Sequence, residues 1–230
     1  MKISVKGLIF DYGGTLDTNG VHWGEVIWQT YRVFNVPIPL DRFREAYIHV
    51  ERTLGSQPVI QPDYTFKQTL ALKLKLQFEA LGLSDWLLVS KMAASCYQKT
   101  VYHVRRAIYV LDALKKRYQM ALVSNFYGNL RVVVHEFGLT DYFLFVIESA
   151  SVGIRKPDPA IFQLGIDALG LPPYEVAIIG DSYKNDIAPA IHLGCPAIWL
   201  KVKSWNDKDD LISHPFIIHD IEECYSLFLV

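Results

Sequence analysis

The residues able to do chemistry sit in short polar clusters, three of them directly after apolar runs. Asp11, Gly13, Gly14 and Thr15 follow VKGLIF, Ser124 and Asn125 follow MALV, and Asp181 and Ser182 follow VAIIG, with Asp186 a helical turn later. Lys156 lies in the loop GIRKPDP, ahead of a helix expected to start near Pro159. Hard carboxylate oxygens at Asp11 and Asp181 suit Mg²⁺, which favours a few carboxylates together with waters and a phosphate. Lys156 and Ser124 suit phosphate oxygens, and a cation beside them would neutralise charge that develops during phosphoryl transfer. Asp11 has the chemistry to attack phosphorus and form an aspartyl-phosphate. Taken singly, each has a plainer reading: a strand-end Asp often caps a turn, Ser-Asn is ordinary turn chemistry, and a lone lysine is usually a surface residue. Four such residues at successive element ends are much harder to explain by turns alone.

Such a convergence requires elements that bring the clusters to one edge. Residues 5–11 read as a buried strand, bounded by Gly13-Gly14. From Asp17 to Tyr102 the chain reads helical, with apolar stripes at Trp23, Ile27, Tyr31 and Phe34 and at Phe43, Tyr47 and Val50. Leu70, Leu72, Leu74, Leu76 and Phe78 alternate like a strand. Phe66, Leu70, Leu74, Phe78 and Leu81 fit helical spacing equally, and the absence of β-branched residues from Leu70 to Leu81 favours a helix ending near Gly82. Thereafter strands are expected at 120–124, 143–147, 176–180, 196–200 and 216–218, with helices near 105–117, 128–137, 159–169, 184–193 and 220–228. That alternation predicts an α/β fold, a Rossmann-like parallel sheet with helices on both faces. The helical block reads as an inserted cap over 17–102, and residues 1–16 and 103–230 as a discontinuous core. Ligands of such sheets bind beyond the carboxyl ends of the strands.

Composition narrows the classes of function. With 230 residues, 51% apolar and 13% aromatic, the chain can bury roughly 70–75% of its unfolded surface without staples. Lys+Arg 23 against Asp+Glu 24 leaves a net charge of −1, which gives no field to attract nucleic acid or an anionic membrane. The short Asp207–Asp210 stretch is expected to be solvated. Cys96, Cys195 and Cys224 have unrelated spacings and read as reduced, partly buried thiols. No segment reaches the roughly 18 apolar residues of a membrane span, so the expectation is a soluble cytoplasmic protein, a monomer or weak homodimer.

The order of the clusters resembles that of the haloacid dehalogenase superfamily, whose members are mostly Mg²⁺-dependent phosphatases. Asp11-Tyr12-Gly13-Gly14-Thr15 matches its first motif and Ser124 its second; KPDPAIF carries the third at Lys156, and Gly180-Asp181 with Asp186 the fourth. The resemblance implies that Asp11 is nucleophile and metal ligand, and that Ser124 and Lys156 act in catalysis by holding the phosphate. Gly14, Thr15 and Asn125 would join the binding of a small phosphorylated metabolite. Mg²⁺ would be held by Asp11, the Gly13 carbonyl, Asp181 and Asp186, with Asp186 either a ligand or a support for Lys156.

The chain departs from the pattern at Gly13, where family phosphatases usually carry a second Asp that protonates the leaving group. A general acid is worth typically about 10²–10⁴-fold. Dehalogenases lack this Asp but also lack the acidic metal motif. Phosphonatases lack it too, but need a cap lysine that forms a Schiff base; here the cap contains Lys67, Lys73, Lys75, Lys91 and Lys99. A phosphatase or phosphotransferase whose leaving group needs no acid, or whose acid comes from elsewhere, with Asp17, His22 and Glu25 at the cap hinge as candidates by proximity, is the third reading, and a catalytically weak phosphate binder the fourth. Phe126 and Tyr127 are placed to line the cleft or to pack the sheet edge.

Overall fold

Leu8, Ile9 and Phe10 are wholly buried, and their side chains divide between two hydrophobic clusters on opposite faces of one sheet. The computed structural model describes residues 3–203, 205 and 211–229; the Asp207–Asp210 stretch lies outside the described residues. Six strands pair in parallel: β1 (Gly7–Phe10), β2 (Gln119–Ser124), β3 (Phe145–Glu148), β4 (Val176–Gly180), β5 (Ala197–Leu200) and β6 (Ile217–Ile218). Their order is β3-β2-β1-β4-β5-β6. The winding reverses between β1 and β4, where Leu8 faces Met120 on one side and Ala177 on the other. That reversal is the switch point at which a parallel sheet opens a crevice beyond its carboxyl ends.

Side-chain alternation along the strands assigns the helices. Leu8, Phe10, Leu122 and Ile179 share one cluster with residues of α5 (Leu130–Glu136) and α9 (Cys224–Phe228), whereas Ile9, Val123 and Ile178 pack with α7 (Ala160–Leu169) and α8 (Ala188–His192). The insert between β1 and β2 consists of α1 (Trp23–Val33), α2 (Leu40–Ser56), α3 (Phe66–Ala80) and α4 (Trp86–Leu114). A short α6 (Ser149–Val152) follows β3.

The leucine-rich segment is helical. Thr65 and Gln68 cap α3 reciprocally, and Phe66, Leu70, Leu74 and Phe78 are buried along it. Leu72 and Leu76 pack on a second cluster with Val50, Leu54 and Ile60, so the apparent alternation reflects a helix covered on two sides.

One expected break is absent. The helix expected near 105–117 is the second half of α4, which runs through the 102/103 boundary. From Trp86 to Leu114 the sequence has neither Gly nor Pro, and Cys96, Thr100, Val104, Ala107, Val110 and Leu114 continue one buried stripe. The helix expected at 184–193 divides into a kinked turn at Tyr183–Ile187 and the short α8. Cys96, Cys195 and Cys224 are free and buried, where the sequence predicts only partial burial. Among the described residues no helix is long and apolar enough to cross a membrane.

The chain leaves β1 through a turn that Asp17 pins. Its buried carboxylate accepts the Gly14 N–H at 2.7 Å and the Trp23 indole N–H at 2.8 Å, fastening the turn to the start of α1. Burial pushes the Asp17 carboxyl up to about 7, against the two donated hydrogen bonds. Between the ordinary 3.8 and about 7 the folded protein therefore keeps a proton that the unfolded chain has released, so this group lowers stability as pH rises through that window. Asp17→Asn removes the titration at the cost of one acceptor. The variant's stability relative to wild type should increase from pH 4 to pH 7 and level off above, with a ceiling of about 4 kcal/mol. Paired thermal melts across that range measure it, and a pH-independent difference would refute the assignment.

Candidate functional site

Beyond the switch point the strand-end residues meet. Asp11 extends β1 by donating its N–H to the Ile179 carbonyl at 2.9 Å, which fixes it beside the end of β4. Its carboxylate Oδ1 accepts the Ser124 hydroxyl at 2.9 Å and the Lys156 ammonium at 2.6 Å. Thr15 Oγ1 lies 3.2 Å from both Asp11 Oδ2 and Asp181 Oδ1. Lys156 Nζ also donates to Asp186 Oδ1 at 2.7 Å, while the Ser182 N–H donates to Asp186 Oδ2 at 3.0 Å. The side chains of Lys156, Asp11 and Asp186 are only 2%, 6% and 2% exposed, so these are charged contacts made away from solvent.

Two glycines make the approach possible. Gly14 has φ +99°, and a Cβ there would strike the Asp181 carboxylate; a Cβ at Gly180 would strike Asp186. At Gly13 the backbone (φ −79°, ψ 111°) suits any residue, and a Cβ would meet nothing within 4 Å. The missing side chain thus leaves open space in the cleft. Asn125 holds the lysine loop in register, its amide oxygen accepting the Lys156 N–H at 2.9 Å and its amide nitrogen donating to the Lys156 carbonyl at 3.1 Å. The Trp199 indole N–H donates to the Asp181 carbonyl at 2.8 Å, a support that the sequence did not disclose.

The electrostatics follow from crowding. Burial, then the charges of Asp186 and Asp11, push the Asp181 carboxyl well up. Burial raises Asp186 to about 6 against the pull of Lys156. Burial alone would lower the Lys156 ammonium, but Asp11 and Asp186 outweigh it and hold it protonated. One oxygen from each of Asp11, Asp181 and Asp186 lies within 4.8 Å of the others, a spacing and a hard donor set that fit a divalent cation.

Two adjoining cavities open here. One, of about 110 Å³, is lined by Asp11, Ser124, Lys156, Asp181 and Asp186. The other, of about 140 Å³, lies against the helical insert and is lined by Trp23, Tyr47, Glu51, Phe66, Lys73 and Tyr127 among others. Gly13, His22 and Asn125 line both. Phe126 and Tyr127 therefore line the cleft, and Phe126 also packs edge-on against Tyr12. Of the three hinge candidates for a proton donor, His22 alone borders the cavities; Asp17 is spent on the turn, and Glu25 lies on neither wall. Glu51 bears no mark in the sequence and Tyr47 reads only as part of a core stripe, since both come from α2, whose distance from the sheet edge is set by tertiary packing. Lys73 carried a signal: it interrupts the buried face of α3 next to Leu70 and Leu74.

Comparison with known proteins agrees with this geometry. Haloacid dehalogenase-like hydrolase domain-containing protein 3 of Xenopus laevis is 29% identical over 181 residues, 71% of each chain. Phosphoserine phosphatase of Thermus thermophilus is 30% identical over 118 residues, 51% of this chain and 47% of that protein, so the chain spans about half the length of this relative. Among solved structures, a dehalogenase superposes with a TM-score of 0.68 at 17% identity over 100% of both chains. A HAD phosphatase from Thermococcus onnurineus superposes with a TM-score of 0.54 at 22% identity over 96% of this chain and 97% of its own. At those identities the two structures speak to the fold alone. The sequence profile of haloacid dehalogenase-like hydrolases matches residues 5–194, and the chain belongs to that family of hydrolases.

Proposed function

We propose that this hydrolase is a Mg²⁺-dependent phosphatase that passes the phosphoryl group of a small phosphorylated metabolite through Asp11. The observation that carries the reading is the cluster of Asp11, Asp181 and Asp186 around the protonated Lys156 at the switch point. Asp11, Asp181 and Asp186, with the Gly13 carbonyl, would hold the cation, which would draw charge from the phosphoryl oxygens and offset the repulsion between substrate and carboxylates.

The side chains then have distinct parts. Ser124 Oγ and Lys156 Nζ, both on Asp11 Oδ1, are placed to bind the phosphoryl oxygens as the group arrives. An Asp11 oxygen attacks phosphorus, the bond to the alcohol oxygen breaks, and water later cleaves the aspartyl-phosphate to release phosphate. Asn125 and Asp186 position Lys156, and Thr15 orients Asp11 and Asp181. Gly14 serves the turn, its N–H being committed to Asp17.

His22 is the proton donor that Gly13 lacks. Its Nδ1 accepts the Gly24 N–H at 3.0 Å, which caps α1 and holds the ring where the two cavities meet. The alternative chemistries have less support. A phosphonatase needs an unprotonated cap lysine. Burial would lower the Lys73 ammonium, but Glu51 and Tyr47 outweigh it and keep the group charged. A dehalogenase has no use for the acidic excess at Asp181 and Asp186.

The nucleophile and metal assignments are tested first. Asp11→Asn should fold normally and release phosphate only at the rate of an enzyme-free control, and Asp181→Ala should move the Mg²⁺ midpoint of activity upward by ~10-fold or more. An active, folded Asp11→Asn variant would sink the covalent route.

The acid assignment gives a further test. His22→Asn keeps a cap acceptor for Gly24 but removes the proton. On alkyl phosphates it should lose about 10²-fold or more, and on acyl phosphates, whose leaving groups need no proton, much less. Gly13→Asp, whose Cβ would meet nothing within 4 Å, should recover part of the loss. Rates plotted against leaving-group pKa in the three proteins report this directly; equal losses on both substrate classes would remove His22 from that role.

A further inference from the structure

The cap-side cavity has a composition of its own. Lys73 Nζ, 5% exposed as a residue, meets Glu51 Oε1 at 2.7 Å and donates to the Tyr127 hydroxyl at 3.1 Å. Tyr127 in turn donates to Glu51 Oε2 at 2.7 Å. Two of the three ammonium protons are thereby taken; among the described residues the third has no oxygen partner, the ammonium lying 5.8 Å from the Trp23 ring centroid, and it can serve a ligand oxygen. Opposite charges cancel along this wall, so a carboxylate arriving at Lys73 would face Glu51 as well. A hydroxyl suits the pair better, because it donates to Glu51 and accepts from Lys73 at once. Much of the remaining wall is aromatic, with Thr69 and Leu70 beside it: Trp23 and Phe66 meet edge to face at 5.6 Å, and Tyr47 adjoins them. Such rings take the C–H faces of a carbon chain whose oxygens point to the other side.

Size narrows the class further. A cavity of about 140 Å³ approaches the volume that encloses one benzene molecule, roughly six to eight non-hydrogen atoms. A nucleoside exceeds that; a three- or four-carbon polyol does not. Gly13, His22 and Asn125 join this space to the phosphate cavity, so an ester oxygen at the junction would put phosphorus by Asp11 and the carbon chain by Lys73.

From this we infer that the cavity formed by Glu51, Lys73 and Tyr127 is the leaving-group site, and that it selects monophosphates of small neutral polyhydroxylated alcohols. The inference rests on the phosphatase reading above.

The test compares glycerol and tetritol phosphates with n-propyl phosphate, phosphoserine, a phosphoglycerate and a nucleoside monophosphate, all with Mg²⁺. The polyol esters should exceed n-propyl phosphate in kcat/KM by at least ~10²-fold, a floor set below the roughly 10⁴–10⁵-fold by which a site built to hydrogen-bond a hydroxyl rejects an analogue without one. Glu51→Gln and Tyr127→Phe should each shrink that ratio at least tenfold. The double variant Glu51→Gln, Lys73→Met removes both charges together and serves if the single change unfolds the protein; its ratio should also fall at least tenfold. Calorimetric binding of the same esters to Asp11→Asn separates the two readings. Glu51-dependent polyol phosphate binding without turnover in wild type would overturn the phosphatase reading and keep the site. Turnover with no polyol preference, a preference for the carboxylate-bearing esters, or a ratio that survives these substitutions in folded protein would overturn the site.

Discussion

The ammonium of Lys156, held between the carboxylates of Asp11 and Asp186 in a nearly dry crevice, is the contact on which the rest of the site depends. Removing either partner would leave a buried charge uncompensated, which is far costlier than the pair itself. Even intact, the arrangement is unbalanced: Asp181 adds a third carboxylate to the two that share one lysine. Such an excess must be met by protons or by a cation. The upward displacement of Asp181 and Asp186 expresses the first outcome, and their oxygen donors suit the second. The raised carboxyls and the fit to a divalent cation have this single origin.

The sheet exists, from this point of view, to deliver those charges to one place. β1 and β4 are neighbours at the reversal of winding, so Asp11 and Asp181 emerge side by side although 170 residues separate them in sequence. Gly14 and Gly180 let the carboxylates close in, because any Cβ would occupy their positions. Asn125 clamps the backbone of Lys156 from the end of β2. The hydrogen bonds that build the scaffold thus end where the reactive groups begin.

Legibility in the sequence followed the range of the forces involved. Buried parallel strands are short runs of apolar residues with polar punctuation, so VAIIG and MALVS are readable, as is the convergence of the polar residues immediately after them into one candidate site. The helix α3 was readable because propensity decides between two periodicities that fit equally. The boundary at 102/103 was not, since a helix free of Gly and Pro bears no local mark where its partners change from insert to sheet. Nor was the wall made by Glu51, Lys73 and Tyr127, which come from α2, α3 and the loop after β2. Only packing brings them together, and no spacing along the chain encodes it.

A dehalogenase and a phosphatase both share this backbone, so the fold alone does not select the chemistry. The charge count at the crevice argues for one of them. Attack on carbon by a lone carboxylate would be hindered by two further buried carboxylates, which raise the potential energy of any additional negative charge nearby. Attack on a phosphate dianion is hindered more still, unless a cation sits among them, and then the same carboxylates become its holders. The acidic excess is therefore a liability in the first chemistry and a requirement in the second. Gly13 would bear on a different step of the proposed reaction, the departure of the alcohol, and it leaves the contacts of Ser124 and Lys156 with Asp11 intact.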